Sequence, residues 1–445
     1  MDEKESVESQ TMDEKENVES QSLDEKKNVE SQSFDEKERE VMEFLQKKLC
    51  SDGKELTESH VTNLTAPGEN YWSDMLKIDL VLRDISTGNL EDLHLCAKCV
   101  TTHEDFMGDM TARVFQTEID FYKTVLPAMQ SFLKKRGLQE LEFFPRVVCE
   151  RLNLQETGDS PDSHALLILE NLKSKGYTNL DRHTGFDFDT AKLVLRDLAM
   201  FHAVPLAMRL LEPEEFREKI APRIELWDGP PKPKDGEPQQ KFPEPHGLFR
   251  QILQQDVFCR SHMDVLEKFL QKDKKKFADG HPPKQYEGVF ATLCHHDMWL
   301  NNTMQKLEDG KVVGNKLVDF QMYKVDNPIG DLLFLLTTSV DVPTLQNHFD
   351  YLLGYYHEVF VRTLEALGVD VKPFAYDRFL VALKECTSES FIQIIFMSVF
   401  IIFAKKGEKS NVMKMNDKLI ADVHPVAKAK VQFLYSEIVK RNWYD

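Results

Sequence analysis

The sequence predicts an α+β protein with two lobes, a smaller one rich in strands and a larger one that is mainly helical. Apolar residues alternate with polar ones over residues 71–82 and 93–100, which is typical of strands. Beyond Leu172 the apolar residues recur mostly at helical spacing. With 445 residues and 41% hydrophobic content, the chain is long enough to bury a core in each lobe.

Residues 1–40 differ from the rest because they contain three copies of an eleven-residue unit and a degenerate fourth. The copies read MDEKESVESQT, MDEKENVESQS and LDEKKNVESQS. Each supplies roughly two apolar residues, too few to bury a face of a helix. The segment has 15 acidic and 6 basic residues, a net charge of −9. We therefore predict a disordered acidic tail, with a helical arm for self-association as the alternative.

Composition excludes several classes of function. The formal net charge of −19 disfavours nucleic-acid binding, which needs a basic surface, and favours a small neutral or cationic ligand. The seven cysteines are scattered and accompany no secretory signal, so we expect free thiols in a cytoplasmic protein. The longest apolar run, 391–404, is too short to cross a bilayer and predicts a buried helix. No membrane partner is expected.

The most informative motif lies within residues 293–336. His295-x-Asp297 is followed five residues later by Asn302, which is the arrangement of the kinase catalytic loop H-R-D-L-x-x-x-N. Asp319-Phe320-Gln321 then occupies the place of D-F-G. Strand-like residues on both sides of 308–311 predict a hairpin that brings Asp319 back beside Asn302.

Phosphoryl transfer explains why these residue types occur together. Asn302 and Asp319 can supply oxygen ligands to Mg²⁺, and Asp297 the carboxylate that orients and deprotonates the attacking hydroxyl. Either tripeptide alone could arise by chance, but their order, spacing and intervening hairpin argue against chance. His295 is included among the catalytic residues. We expect it to fix the loop rather than to act as a base. Asp331 is interpreted as structural, either capping the next helix or bracing the loop.

Residues that could bind the nucleotide occur upstream. Lys98 follows an alternating strand in the manner of V-A-I-K, and Glu118 lies at the spacing of the helix glutamate that pairs with that lysine. The alternatives without a function are that Lys98 is a surface lysine and Glu118 a solvated glutamate. A weaker signal is residues 67–73, where Gly68 and Asn70 stand in place of a loop with three glycines.

Two further segments complete the prediction. Residues 167–172 read as a strand that runs into the connection between the lobes, where Glu170 and Leu172 are candidate contacts to adenine. His202 lies on the apolar face of a helix that Asp187 or Asp189 can cap and that we expect to end near Pro205. Such a histidine is more often a satisfied core residue than a catalytic one.

The acceptor is predicted to be a small molecule. Only 12 positions separate Asp319 from Asp331, and no A-P-E segment follows, so the chain lacks the longer activation segment that seats a peptide. The 29 phenylalanines would suit an apolar acceptor pocket, and they would equally suit an ordinary core.

With these motifs the sequence resembles the ecdysteroid kinase-like proteins of insects, relatives of the choline and aminoglycoside kinases, from about Leu56 to the C-terminus. The residues that carry the resemblance are Lys98, Glu118, Phe121, Tyr122, Leu169 to Leu172, Leu198, Ala199, Phe201 to Ala203, His295, Asp297, Trp299, Asn302, Asp319 to Gln321, Asp331 and Leu332. The resemblance implies a protein kinase-like fold, ATP, Mg²⁺ and a hydroxyl acceptor such as an ecdysteroid or a xenobiotic alcohol or phenol.

The resemblance also sets the expected domains and the alternatives. We divide the chain into the tail (1–40), a nucleotide-binding N-lobe (41–172) and a C-lobe with the catalytic loop and acceptor pocket (173–445). Trp299 and Gln321 favour this family over the choline and ethanolamine kinases. His296 replaces the family's usual glycine, so a catalytically silent ligand-binding protein is the alternative of another class.

Overall fold

The computed structural model describes residues 34–50, 53–64, 73–100, 108–156, 160–221, 246–279, 287–403 and 420–444. The three complete repeats and the loop with Gly68 and Asn70 lie outside the described residues. The chain divides into two compact units, the first comprising Met1–Pro67 and Asp74–Lys98 and the second Gly68–Ser73 and Cys99–Asp445. The predicted lobe boundary after Leu172 stays a prediction.

The described residues of the first unit form a helix and three strands. Helix α1 covers residues 34–49 and buries Val41, Phe44 and Leu45. The strands are β1 (Lys54–Asn63), β2 (Ser73–Asp84) and β3 (Leu90–Val100). Strand β2 lies between the other two and is antiparallel to β1. Its Leu76, Ile78, Leu80 and Leu82 are at most 2% exposed, the period of two that the sequence predicts.

The second unit contains the remaining strands and most of the helices. Its strands are β4 (Val147–Arg151), β5 (Leu166–Glu170), β6 (Tyr177–Thr178), β7 (Thr292–Cys294), β8 (Thr303–Glu308), β9 (Lys311–Leu317) and β10 (Lys324–Asp326). Its helices are α2 (Gly108–Asp120), α3 (Leu126–Lys135), α4 (Phe188–Leu211), α5 (Pro213–Lys219), α6 (His246–Gln254), α7 (Val257–Arg260), α8 (Met263–Asp279), α9 (Ile329–Ser339), α10 (Val342–Ala366), α11 (Tyr376–Met397) and α12 (Pro425–Arg441). The α+β class predicted from the sequence is confirmed.

Strand pairing in this unit forms three small groups. β4 and β5 are antiparallel neighbours, β7 pairs with β10, and β8 lies between β6 and β9. The β8–β9 hairpin closes through Asp309 and Gly310, whose φ angles of 50° and 75° are those of a type I′ turn. The hairpin predicted at 308–311 is confirmed.

Helix α4 departs from its predicted end. Asp187 is the N-cap, with its carboxylate accepting a hydrogen bond from the Thr190 amide at 2.9 Å. The helix does not end near Pro205 but continues to Leu211, so that prediction was wrong. Val204, Leu206 and the residues around them are fully buried, and this packing offsets the hydrogen bond that proline cannot donate.

The long apolar run is part of a packed helix. α11 continues into a π-helical turn over Ser398–Ile402, and Phe391, Ile394 and Ile395 are buried. In the described part of the chain, none of the helices is long and apolar enough to span a membrane. All seven cysteines are free thiols, as predicted.

Two glycines with positive φ provide a matched test of backbone packing. A Cβ at Gly185 would lie 2.7 Å from the Ser339 carbonyl oxygen, whereas one at Gly310 would meet nothing within 4 Å. We expect Gly310→Ala to cost about 1 kcal/mol through its φ alone, and Gly185→Ala roughly 2 kcal/mol more because backbone must move. Urea unfolding of both variants measures the difference, and equal losses would contradict the predicted clash.

Candidate active site

The catalytic-loop motif begins where a short strand ends. β7 pairs with β10 in the register Cys294 to Lys324, and His295 follows directly. The loop ends in a 3₁₀ turn over Leu300–Asn302, from which β8 starts. The loop is therefore fixed at both ends by hydrogen-bonded strands.

Asp297 and Asn302 are in direct contact. Asn302 Nδ2 donates to the Asp297 carbonyl oxygen at 2.7 Å and to its carboxylate Oδ2 at 2.8 Å. Because the amide nitrogen is engaged with Asp297, the carbonyl oxygen Oδ1 is the atom that Asn302 can offer to a cation.

Asp319 lies beside this pair, as the hairpin predicts. The Val318 amide donates to the Asn302 carbonyl oxygen at 3.0 Å, which places Asp319 one residue from the end of the loop. Asp319 adopts a φ angle of +68°, a backbone conformation that is uncommon for residues other than glycine. Backbone strain of this kind concentrates at functional sites. The structure thus brings together Asp297, Asn302 and Asp319.

The Asp297 carboxyl has a perturbed proton affinity. Burial is the main cause that raises its pKa, and the neighbouring charge of Asp319 adds to it, giving a value of about 6. Interactions with His295, Asn302 and Trp299 oppose the rise. A carboxylate whose pKa lies near neutrality is well matched to accept a proton from an attacking hydroxyl.

His295 is placed as a residue that holds the loop. Its ring is fully buried, its Nε2 is 3.0 Å from the Val318 carbonyl oxygen, and its Nδ1 is 3.3 Å from the Asp297 amide. The carbonyl must accept and the amide must donate, so Nε2 carries the proton and Nδ1 does not. Both ring nitrogens are thereby used within the protein.

Asp331 braces the loop from the first turn of α9. Its carboxylate accepts hydrogen bonds from the amides of His295 at 2.5 Å and His296 at 2.9 Å. Burial would raise the pKa of Asp331, but the hydrogen bond from His202 and the nearby histidines lower it to about 2. The sequence left open whether Asp331 caps α9 or braces the loop. These contacts match the second role, since the N-cap of α9 is Pro328.

His296 occupies a position that favours glycine. Its φ is +64°, in the left-handed region, where histidine is tolerated better than most residues. Its Nε2 lies 3.3 Å from Asp326 Oδ2 on β10. The conformation is one that glycine adopts most readily, and the structure accommodates histidine in it without a break in the loop.

An aromatic cluster connects the motif to the helix of Glu118. The rings of Phe320 and Phe121 are stacked with centroids 3.8 Å apart. Phe320 also contacts the ring of His295, with centroids 4.6 Å apart. Phe121 begins a π-helical turn between α2 and α3, three residues after Glu118. Such turns are frequent at functional sites.

The other predicted nucleotide residues belong to several different elements. Lys98 lies in the first unit and Glu118 in the second. Both are buried, with exposed fractions of 8% and 3%. Their pairing stays a prediction. The Glu170 carboxylate accepts hydrogen bonds from the Arg146 amide at 2.9 Å and from Lys175 Nζ. Leu172 begins a 3₁₀ helix, so no helical carbonyl can accept from its amide.

A polar network that the sequence did not reveal supports the hairpin. Asp197 on α4 is 1% exposed and accepts a hydrogen bond from Asn315 Nδ2 on β9 at 3.0 Å. Asn315 in turn accepts one from Gln305 on β8 at 3.0 Å. The available signal was an acidic residue on an apolar helix face, which predicts a buried partner but not its identity.

The fold and this site define a kinase-like protein. In chain order, three strands that lead to a buried lysine precede a helix with a buried glutamate. The catalytic loop follows, in which Asn302 contacts the Asp297 carboxylate, and the hairpin returns the chain to this loop at Asp319. The chain belongs to the ecdysteroid kinase-like family, whose sequence model matches residues 67–369. The resemblance stated from the sequence is confirmed.

Solved structures give more distant similarities. A choline kinase from Cryptosporidium parvum Iowa II has 10% identity and a TM-score of 0.40, covering 91% of this chain and 96% of its own. The GDP complex of an aminoglycoside 2′-phosphotransferase mutant has 13% identity and a TM-score of 0.36, covering 80% and 98%. A choline/ethanolamine kinase family protein from Mesorhizobium loti has 12% identity and a TM-score of 0.31, covering 86% and 92%. A search of curated protein sequences returns no match.

The raised pKa of Asp297 predicts a gain in stability when its charge is removed. Because the pKa of Asp297 rises on folding, the protein loses stability as the pH increases from the pKa of this group in the unfolded chain to about 6. Asp297→Asn should therefore raise the free energy of unfolding above that window, on the order of 1 kcal/mol, and by less at pH 4. Denaturant titrations at pH 4 and pH 8, without nucleotide or metal, measure the change.

Asp326 provides the matched control for this prediction. Burial is the largest single influence and raises its pKa, but His296, the Asn327 amide and Lys324 together outweigh burial and leave the pKa below its usual value. Asp326→Asn should thus lower stability at pH 8, which is the opposite sign. A loss of stability in both variants would contradict the interpretation of Asp297.

Proposed function

We propose that this protein transfers the γ-phosphate of ATP to a hydroxyl group of a small organic molecule. The observation that carries the proposal is the contact of Asn302 with the Asp297 carboxylate, next to Asp319, at the end of a braced loop. Phosphoryl transfer depends mainly on positioning and charge stabilisation, and these residues are of the types that it uses.

Asp297 is the proposed base. Its carboxylate orients the acceptor hydroxyl and takes the proton as the phosphoryl group is transferred. His295 and Asp331 keep the loop in the conformation that presents this carboxylate.

The donor set beside Asp297 fits Mg²⁺. Asn302 Oδ1 and the Asp319 carboxylate are hard oxygen ligands, and a bound cation would neutralise the phosphates. Gly68, Asn70 and Lys98 are proposed to hold the phosphates of ATP, and Glu118 to pair with Lys98. The backbone at Glu170 and Leu172 is proposed to contact adenine, since the Glu170 carboxylate is bonded within the protein.

The proposed acceptor is apolar, such as an ecdysteroid or a xenobiotic alcohol or phenol. Membership of the ecdysteroid kinase-like family supports this class of acceptor. The short segment between Asp319 and Asp331 supports a small molecule over a peptide.

ATP consumption by the purified protein with Mg²⁺, against steroids, phenols, choline and aminoglycosides, tests the function. We expect turnover on a steroid or phenol that falls at least about 10³-fold in Asp297→Ala, because the base is lost, while ATP binding changes little. Asp319→Ala should instead weaken Mg²⁺-dependent ATP binding, measured by calorimetry. Full activity of Asp297→Ala would contradict the role assigned. ATP binding without turnover on any acceptor would favour the silent ligand-binding protein.

The same assay predicts a pH dependence. Asp297 must be ionised to accept a proton. Its pKa is about 6 without a cation, and Mg²⁺ at Asn302 and Asp319 would lower it, so kcat should rise with pH to a plateau that is reached by pH 7. A rate that falls as pH increases from 5 to 7 would show that Asp297 is not the titrating base.

A further inference from the structure

A series of buried polar side chains joins helices α4, α9 and α10 behind the catalytic loop. His202 on α4 is fully buried and Tyr356 on α10 is 1% exposed. His202 Nδ1 lies 2.7 Å from the Tyr356 hydroxyl, and its Nε2 lies 3.2 Å from Asp331 Oδ2. Neither His202 nor Tyr356 has a part in the chemistry proposed above. Polar groups are costly to bury, and such a series needs a reason.

The direction of each hydrogen bond follows from the charge of the partners. Burial raises the pKa of Tyr356 well above its usual value, so the phenol keeps its proton and donates to His202 Nδ1. Burial lowers the pKa of His202, so the ring is neutral and its single proton is on Nε2. The ionised carboxylate of Asp331 accepts that proton.

The series continues into the loop, and the direction of donation reverses at Asp331, which accepts from both sides. The same Asp331 carboxylate accepts from the amides of His295 and His296. His295 Nδ1 then accepts from the Asp297 amide at 3.3 Å. Four successive contacts therefore lead from the Tyr356 hydroxyl to the backbone of the proposed base, and each uses a donor and an acceptor of fixed identity.

A buried metal site is the competing interpretation. A ring nitrogen of His202, Cys294 Sγ and an Asp331 oxygen lie within 4.8 Å of one another in the described part of the chain. A metal would need a free Nε2 lone pair and a thiolate. His202 Nε2 instead carries the proton donated to Asp331. The Cys294 thiol donates to the Asp326 carbonyl oxygen at 3.4 Å, and burial raises its pKa well above the usual range.

We propose that His202, held in one tautomer by Tyr356, is a positioning residue that fixes the orientation of Asp331 and thereby places the Asp297 backbone. Without the Tyr356 hydroxyl, Nδ1 loses the donor that fixes the other side of the ring, and only the bond to Asp331 orients His202. The ring can then rotate away from the carboxylate, which would hold one of its three donors less firmly, and the loop it braces would gain freedom. The kinetic consequence rests on the proposed function, whereas the structural consequence does not.

Tyr356→Phe tests the proposal because it removes the hydroxyl and keeps the buried ring. Tyr435→Phe is the matched control. Tyr435 is equally buried, and its hydroxyl accepts from the Leu266 amide at 3.0 Å and donates to the His262 carbonyl oxygen, outside the series. Both variants should lose stability. Only Tyr356→Phe should lose kcat for ATP turnover, about fivefold, the equivalent of one ordinary hydrogen bond, with KM for ATP within about twofold.

Hydrogen exchange supplies a readout that does not depend on activity. Amides of residues 293–300 should exchange several-fold faster in Tyr356→Phe than in the unaltered protein, and Tyr435→Phe should leave them unchanged. His202→Gln can still donate to Asp331 from its amide nitrogen and should exchange more slowly in this segment than His202→Leu.

The outcomes separate the two proposals. Faster exchange in Tyr356→Phe with no turnover in any protein would support the positioning role and count against the kinase. Unchanged exchange, or equal acceleration in Tyr435→Phe, would overturn the positioning role even if the protein is a kinase. Stoichiometric zinc in the purified protein that is lost in His202→Gln would overturn it in favour of the metal site.

Discussion

The buried carboxylate of Asp331 is the interaction on which the catalytic loop depends. It accepts from two successive loop amides and from His202, and these donors hold it ionised where burial alone would protonate it. Removing one donor would leave part of this charge uncompensated at a buried site, which costs more than an ordinary hydrogen bond gains. The loop conformation is consequently tied to the packing of α4, α9 and α10.

Asp297 and Asp319 have the opposite effect, because two neighbouring carboxylates destabilise each other's charge. They are close enough for the charge of Asp319 to raise the pKa of Asp297, so the two carboxylates repel each other. A divalent cation at Asn302 and Asp319 would relieve that repulsion and lower the proton affinity of the base. The proximity of these two carboxylates therefore lowers the stability of the protein while it serves the proposed chemistry, as is common at active sites.

The sequence was sufficient for those parts of the site that depend on local rules. The Asp309–Gly310 turn and the alternation around it predicted the hairpin, and the hairpin predicted that Asp319 returns to Asn302. Long-range contacts were not predictable. Tyr356 has no local signal that marks it as a partner of His202, since the pairing depends on how α10 packs against α4. Pro205 shows the same limit, because burial of its neighbours outweighs the local rule that ends a helix.

The hairpin also has a consequence for the order in which the site can assemble during folding. Its two strands meet through a two-residue turn, so Asn302 and Asp319 become neighbours by contacts that are local in sequence, and local contacts form early. The contact between His202 and Asp331 closes a separation of 129 residues and must wait for the helices to dock. We therefore expect the candidate metal ligands to be adjacent in partly folded chains, whereas the position of Asp297 is set only when the helices have packed.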